Sequence, residues 1–120
     1  MVEDDHLVAM DVEATLNEAG FQVVAIAGSA EEAFAIGLAE RPDIAIMDIG
    51  LFGDRDGVDA AIQLCREINV RCIFATAYHD LVTRKRAEAA APLGWLAKPY
   101  QPEALVRAVR RALVELGATS

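Results

Sequence analysis

Ile44-Ala45-Ile46-Met47-Asp48 is a run of four apolar residues closed by a carboxylate. It has the length of a strand and no polar alternation, which is the pattern of a strand covered on both faces. Pro42, just ahead of it, ends any preceding helix. A strand buried on both faces needs helices above and below its sheet, so the flanking sequence has to supply them.

It does so in both directions. Upstream, Ser29-Ala30-Glu31-Glu32 matches a capping box and predicts a helix to about Glu40. Before that, residues 22–27 form a short β-branched run that reads as a strand. Leu7, Met10 and Ala14 recur at helical spacing over residues 7–19, and Gly20 stops the pattern. Downstream, residues 50–57 read as a loop, because glycines and charges interrupt any period. Residues 58–68 read as a helix and 72–76 as a second buried strand. An alanine-rich helix is expected from about 80 to 91, ended by Pro92 and Gly94, followed by a short strand at 95–97. Residues 102–116 predict the last helix, with Pro102 near its first turn and Gly117 past its end. Parallel strands need crossover helices, and such crossovers are right-handed. The alternation therefore predicts a doubly wound α/β three-layer sandwich, with ligands at the carboxyl ends of its strands.

Bulk properties agree. A chain of 120 residues is expected to form one domain, residues 1–120, with no output domain visible. At 54% apolar residues it is not disordered. No run approaches the roughly 18 apolar residues of a membrane span. The opening Met1-Val2-Glu3-Asp4-Asp5 is acidic, unlike a secretory signal. Residues 1–60 hold 14 acids and two bases, and residues 61–120 hold five acids and nine bases. An acidic first half argues against direct nucleic-acid binding and fits a site that holds a cation. Cys65 and Cys72 lack metal-ligand spacing and lie in apolar runs, so they read as buried free thiols in a reducing cytoplasm.

The strand ends carry the chemistry. Glu3 and Asp4 follow the first strand, Asp48 the third, Thr76 the fourth and Lys98 the fifth. Clustered carboxylates repel unless a cation neutralises them. An all-oxygen site with an open coordination sphere suits Mg²⁺. Asp48 is then a nucleophile toward phosphorus, with Lys98 and the Thr76 hydroxyl placed to bind phosphoryl oxygens. Taken singly, an Asp after a strand is usually a turn or cap residue, and Lys-Pro is a common loop dipeptide. Their joint arrival at one rim is what carries the reading.

On these residues the chain resembles the receiver domains of bacterial two-component response regulators, over nearly its whole length. Val2-Glu3-Asp4-Asp5 is similar to the family's acidic opening. Ile46-Met47-Asp48-Ile49-Gly50-Leu51 with Asp56-Gly57-Val58-Asp59 resembles its phosphoacceptor strand and loop. Ala75-Thr76-Ala77 resembles its switch motif, and Trp95-Leu96-Ala97-Lys98-Pro99-Tyr100 its lysine–proline motif. The resemblance implies a flavodoxin-like five-stranded parallel sheet of order 2-1-3-4-5. It implies that Asp48 accepts phosphate from a histidine kinase or histidine phosphotransfer protein. Asp4 and Asp48 would ligate Mg²⁺ directly, the Gly50 carbonyl would be a further ligand, and Glu3 would act through water. Lys98 would pair with the phosphoryl group. Thr76 would swing toward it and re-pack the face of the fourth helix, fifth strand and fifth helix, with Trp95 as the coupled aromatic. Output would pass to a downstream protein, and a homodimer through that face is the assembly implied. Phe74-Ala75-Thr76-Ala77-Tyr78-His79 is also similar to the Phe-Ala-Thr-Gly-X-Tyr motif of a stress-signalling subgroup, departing from it at Ala77 and Tyr78.

Other residues have plainer readings. His6 and His79 lack spaced partners and read as helix-start or loop residues. Asp5 competes with Glu3 for the acidic site, and the family pattern favours Glu3-Asp4. Arg84-Lys85-Arg86 and Arg107, Arg110 and Arg111 read as solvated helix faces on the output side, facing a protein rather than nucleic acid. A degenerate receiver that binds a partner without phosphorylation is the alternative, but no site residue is missing. A phosphatase would need a second catalytic carboxylate where Gly50 stands, and glycine cannot be a general acid. The chain is thus expected to be a phosphoacceptor that at most catalyses its own phosphorylation and dephosphorylation, not an enzyme in the usual sense.

One feature departs from the family. Only Met1 and Val2 precede Glu3, where receivers carry several more strand residues. The first strand is therefore expected to be shortened to about residues 1–4 and to leave an apolar slot.

Overall fold

The computed structural model describes residues 1–49, 57–77 and 81–118. Its elements are α1 (His6–Glu18), α2 (Ala30–Glu40), β1 (Ile44–Asp48), α3 (Gly57–Ile68), β2 (Arg71–Thr76), α4 (Leu81–Ala87), a 3₁₀ turn (Glu88–Ala90), β3 (Gly94–Ala97) and α5 (Pro102–Ala118).

The strand that decides the fold forms as its composition requires. Ala45, Ile46 and Met47 are all buried. β1 pairs in parallel with β2, Ile44 opposite Arg71 through Asp48 opposite Ala75. β2 pairs in parallel with β3, Ile73 opposite Gly94 through Thr76 opposite Ala97. Side chains alternate across the sheet. Met47 and Phe74 join a core with Ala33 and Leu64 under α2 and α3. Ile46 and Ile73 join a second core with Val12, Leu16, Leu105 and Val109 under α1 and α5. These are the three layers. α2 and α3 pack closely at Gly37, where a Cβ would lie 2.8 Å from Ile68 Cδ1 and 2.9 Å from Leu64 Cδ2.

Helix starts follow their caps. The Asp5 carboxylate accepts from Leu7 N and Val8 N at the head of α1. Ser29 Oγ accepts from Glu32 N at the head of α2. Each satisfies N–H groups that a first turn leaves without intrahelical partners. α2 closes on Arg41 in the left-handed region, φ 47°, just before Pro42. The alanine-rich helix is shorter than expected. It passes into the 3₁₀ turn and ends at Ala91, φ 48°. Gly117 lies inside α5, one residue before its end at Ala118, instead of beyond the helix.

The first strand is shortened as expected, and the largest difference concerns the second. Val2 makes single parallel bridges to Ala27 on one side and Met47 on the other. With Met47 opposite Phe74 and Phe74 opposite Trp95, five backbone segments lie abreast at this one level. They stand there in the expected order, but among the described residues the ladder proper has three strands, β1-β2-β3. Residues 21–26 adopt no strand structure despite their β-branched composition. The reason is the shortened neighbour. Strand propensity reflects fit to a paired, pleated surface, and Met1 and Val2 are too few to supply one. No helix among the described residues is long and apolar enough to cross a membrane.

Candidate functional site

The parallel register brings the carboxyl ends of β1, β2 and β3 to one rim. Asp48 is the last residue of β1 and only 6% exposed. Its N–H donates to Val2 O at 3.0 Å, which ties it to the chain's opening. Glu3 N donates to Ala27 O at 2.9 Å, so Glu3 is held between the two neighbouring segments and buried. The Asp5 cap then turns the chain into α1 and leaves Asp4 exposed at the rim. One carboxylate oxygen from each of Glu3, Asp4 and Asp48 lies within 4.8 Å of the others. Asp5 is outside this group. His6 is the exposed first residue of α1, the plain role expected of it.

Thr76 ends β2 and is 1% exposed. Lys98 follows β3, and its backbone N–H donates to Thr76 O at 2.9 Å. The Lys98–Pro99 peptide is cis. Lys98 Nζ donates to Asp48 Oδ1 in an ion pair, the sole cation brought to the carboxylates among the described residues. Asp4, Glu3, Asp48, Thr76 and Lys98, expected together from their places at strand ends, are therefore gathered on one rim. Gly50 and His79 lie outside the described residues.

Electrostatics explain why this rim suits a cation. Burial, then a side-chain hydrogen bond and the charge of Asp48, push the Glu3 carboxyl from its ordinary 4.5 up to about 8, with Lys98 opposing. Glu3 Oε2 is buried without a hydrogen-bond partner among the described residues. Burying such an oxygen is costly unless something coordinates it. Burial alone would lower the Lys98 ammonium, but the hydrogen bond and charge of Asp48, with Glu3 behind it, raise it. Burial also pushes the Tyr100 phenol up. The donor set is three hard oxygen ligands and one amine, which fits Mg²⁺ and a phosphoryl group.

Two supporting features were not derivable from residue pattern. Gly57 opens α3 against the backbone of Asp48, where a Cβ would stand 2.4 Å from Asp48 O. Its place in the phosphoacceptor loop signature pointed to it, but only the fold shows the close approach. Trp95 lies over Phe74, ring centroids 4.9 Å apart and tilted by 31°. The Arg84 guanidinium sits 4.5 Å from the Trp95 ring. Phe74 is fully buried and two residues before Thr76 on the same face of β2, so the aromatic pair reaches back toward the rim. No spacing signal could have paired Arg84 with Trp95.

Known proteins place this arrangement. The response regulator receiver domain family matches residues 1–110. The transcriptional regulatory protein PdtaR of Mycobacterium tuberculosis is 31% identical over 113 residues, covering 94% of this chain and 55% of its own length. The phyllosphere-induced regulator PhyR of Methylorubrum extorquens is 35% identical over 115 residues, covering 94% of this chain and 42% of PhyR. The chain thus spans about half the length of these curated relatives, and the PhyR likeness is consistent with the stress-signalling subgroup. The solved receiver domain of a modulated diguanylate cyclase from Desulfovibrio desulfuricans G20 superposes with a TM-score of 0.90 at 35% identity, covering 99% of this chain and 94% of that one. With fold, rim and relatives in agreement, the chain belongs to the response regulator receiver domain family of two-component systems.

Proposed function

We propose that this receiver is a phosphoacceptor and that Asp48 is the residue phosphorylated. The observation that carries the reading is the buried carboxylate of Asp48, hydrogen-bonded to Lys98 and within 4.8 Å of the Glu3 and Asp4 carboxylates. A carboxylate oxygen of Asp48 attacks the phosphorus of a phosphohistidine on a histidine kinase or histidine phosphotransfer protein. The P–N bond breaks, the imidazole leaves with the electron pair and takes up a proton, and an acyl phosphate forms on Asp48. Asp4 and Asp48 would hold Mg²⁺ directly, Glu3 through water, with the Gly50 carbonyl as a further ligand; the ion supplies charge neutralisation at the phosphoryl oxygens. Lys98 moves from the Asp48 carboxylate to a phosphoryl oxygen, and the Thr76 hydroxyl donates to another.

The new group adds a charge of about −1.5 to −2. Thr76 relays it along β2, through Phe74, to Trp95 and Arg84. The face re-packed is made by α4, β3 and α5, where Leu81 and Val82 are exposed. Output is by contact with a downstream protein or a second copy through this face, in the cytoplasm, with no direct nucleic-acid or membrane contact.

Incubation with Mg²⁺ and acetyl phosphate should add one acid- and base-labile phosphoryl group, and Asp48→Asn should add none. Labelling that persists in Asp48→Asn overturns the assignment. A wild type that takes no phosphate yet binds its partner would establish the phosphorylation-independent binding module instead. Trp95 is the sole tryptophan, so its emission should shift on saturation with beryllofluoride, and an unchanged spectrum would break the proposed relay.

A further inference from the structure

The apolar residues whose spacing marks the first helix in the sequence do not face the core. α1 buries Ala9, Val12 and Leu16. Leu7, Met10 and Ala14 recur at steps of three and four residues, so they share the opposite face. Leu7 is 75% exposed and Met10 51%, and Ala14 is exposed beside them. A contiguous apolar stripe bordered by charge marks a contact surface. Its border is acidic. α1 carries Asp11, Glu13 and Glu18 and no lysine or arginine, and Asp4 and Asp5 stand exposed just ahead of it. Such a face fits a helix that is both apolar and basic.

α5 is a helix of that kind. Arg107, Arg110, Arg111 and Val114 are exposed on it. It lies in the same layer as α1, and both pack on one core. The two helices also run the same way, since α1 leaves the rim at the Asp5 cap and α5 leaves it after β3 and Lys98. A groove separates them, with Thr15 and Glu18 on one wall and Val106, Arg107 and Arg110 on the other. Among the described residues neither Glu18 nor Arg107 forms an ion pair within the chain.

We propose that the α1–α5 face is a self-complementary docking surface for a second copy of this chain, with α1 of each copy seated on α5 of the other. Symmetry selects this arrangement. A twofold axis along the groove lays an acidic helix over a basic one twice. Such an axis keeps every residue at its own level along the helices. Glu18 lies level with Arg107 and Arg110 across its own groove, so it comes opposite Arg107 and Arg110 of the second copy. Glu103, one turn nearer the rim than Arg107, comes opposite Ala14 and Thr15, which carry no charge. Met10 and Ala14 turn toward Pro102 and Val106. An axis across the groove would instead set α1 on α1, acid against acid, where like charges repel. Exposed ion pairs add little affinity singly, so the dimer belongs at the small, weak end of specific interfaces.

Sedimentation equilibrium of the full chain, without Mg²⁺ or a phosphodonor, tests this. Wild type should dimerise below about 1 mM. Glu18→Arg should weaken the dimer by at least about tenfold, and so should Arg107→Glu combined with Arg110→Glu, because each sets like charges together at both symmetric contacts. An equimolar mixture of these two variants should recover wild-type affinity as a heterodimer, since every mismatch then meets its opposite. Met10→Asp should weaken the dimer as much, whereas Leu81→Asp on α4 should leave it unchanged. All these side chains are exposed, so the substitutions spare the core. Four outcomes overturn the proposal. A wild type that stays monomeric at about 1 mM gives the stripe to a different protein. A dimer indifferent to the charge reversals lies on another surface. Variants that fail to recover on mixing do not pair α1 with α5. Loss of the dimer in Leu81→Asp places it on α4. None of these readouts depends on phosphorylation of Asp48.

Discussion

The two ends of this sheet are built to different standards. At the carboxyl end, Asp48, Thr76 and Lys98 stand on neighbouring strand ends, linked by a side-chain ion pair and by the bond from Lys98 N to Thr76 O. At the amino end, the sheet opens on an apolar cavity where Met1 stops. Val2 belongs to both ends. Its bridges to Ala27 and Met47 hold Glu3 at the rim, yet no ladder continues behind it. The contrast teaches that one level of correct register is enough to assemble a polar site, whereas stability grows with the length of ladder and the apolar area it covers. Site geometry and fold stability are separable here.

The sharpest way to break that separation is Gly57→Ala. The added Cβ would stand 2.4 Å from the Asp48 carbonyl oxygen, so backbone has to move. The expected loss is about 1–3 kcal/mol of stability together with slower phosphorylation of Asp48. Thermal melting and acetyl phosphate labelling measure the two separately. Wild-type behaviour in both would mean that the rim is not held rigidly at Asp48.

A middle-sized effect comes from Glu3. Its folded-state pKa, about 8, lies above its ordinary 4.5. The folded protein therefore holds a proton that the unfolded chain releases, and stability falls as pH rises between those two values. Metal-free protein should melt progressively lower across this window, and Glu3→Gln should flatten the slope. Millimolar Mg²⁺ should raise the melting temperature most near the upper end of the window, where the carboxylates are charged. A pH-independent melting curve for the metal-free wild type would contradict the raised pKa of Glu3.

The smallest effect sharpens the division of labour at the opening. Asp5 caps α1 and takes no part in the carboxylate cluster. Asp5→Ala should cost about 1 kcal/mol, as loss of an N-cap does. The Mg²⁺-dependent gain in melting temperature should stay as in wild type, while Asp4→Ala should abolish it. A lost Mg²⁺ response in Asp5→Ala would move Asp5 into the site.

How much of this was readable in the sequence depends on the range of the interaction. β1 and β2 were recognisable from continuous apolar runs, because burial on both faces leaves no polar position. α2 was recognisable from Ser29 and Glu32, because capping is settled within one turn. The candidate site was recognisable because each member sits at a strand end, and parallel strands deliver their ends to one rim. Residues 22–27 misled, since a β-branched run forms a strand only beside a partner.

The sequence by itself determined the alternation of buried strands and amphipathic helices, and with it which residue types meet at the carboxyl rim. Those features rest on local periodicity and on the handedness of crossovers, which one strand and its neighbours impose. Only the tertiary structure decided the rest. It gave Asp5 to the helix cap and Glu3 to the cluster, set Gly57 against the Asp48 backbone, and placed Arg84 over Trp95. It also reduced the second expected strand to a single bridge at Ala27. The physical reason is common to all four: each depends on what lies across a gap from the residue in space, and a one-dimensional pattern records only what lies beside it along the chain.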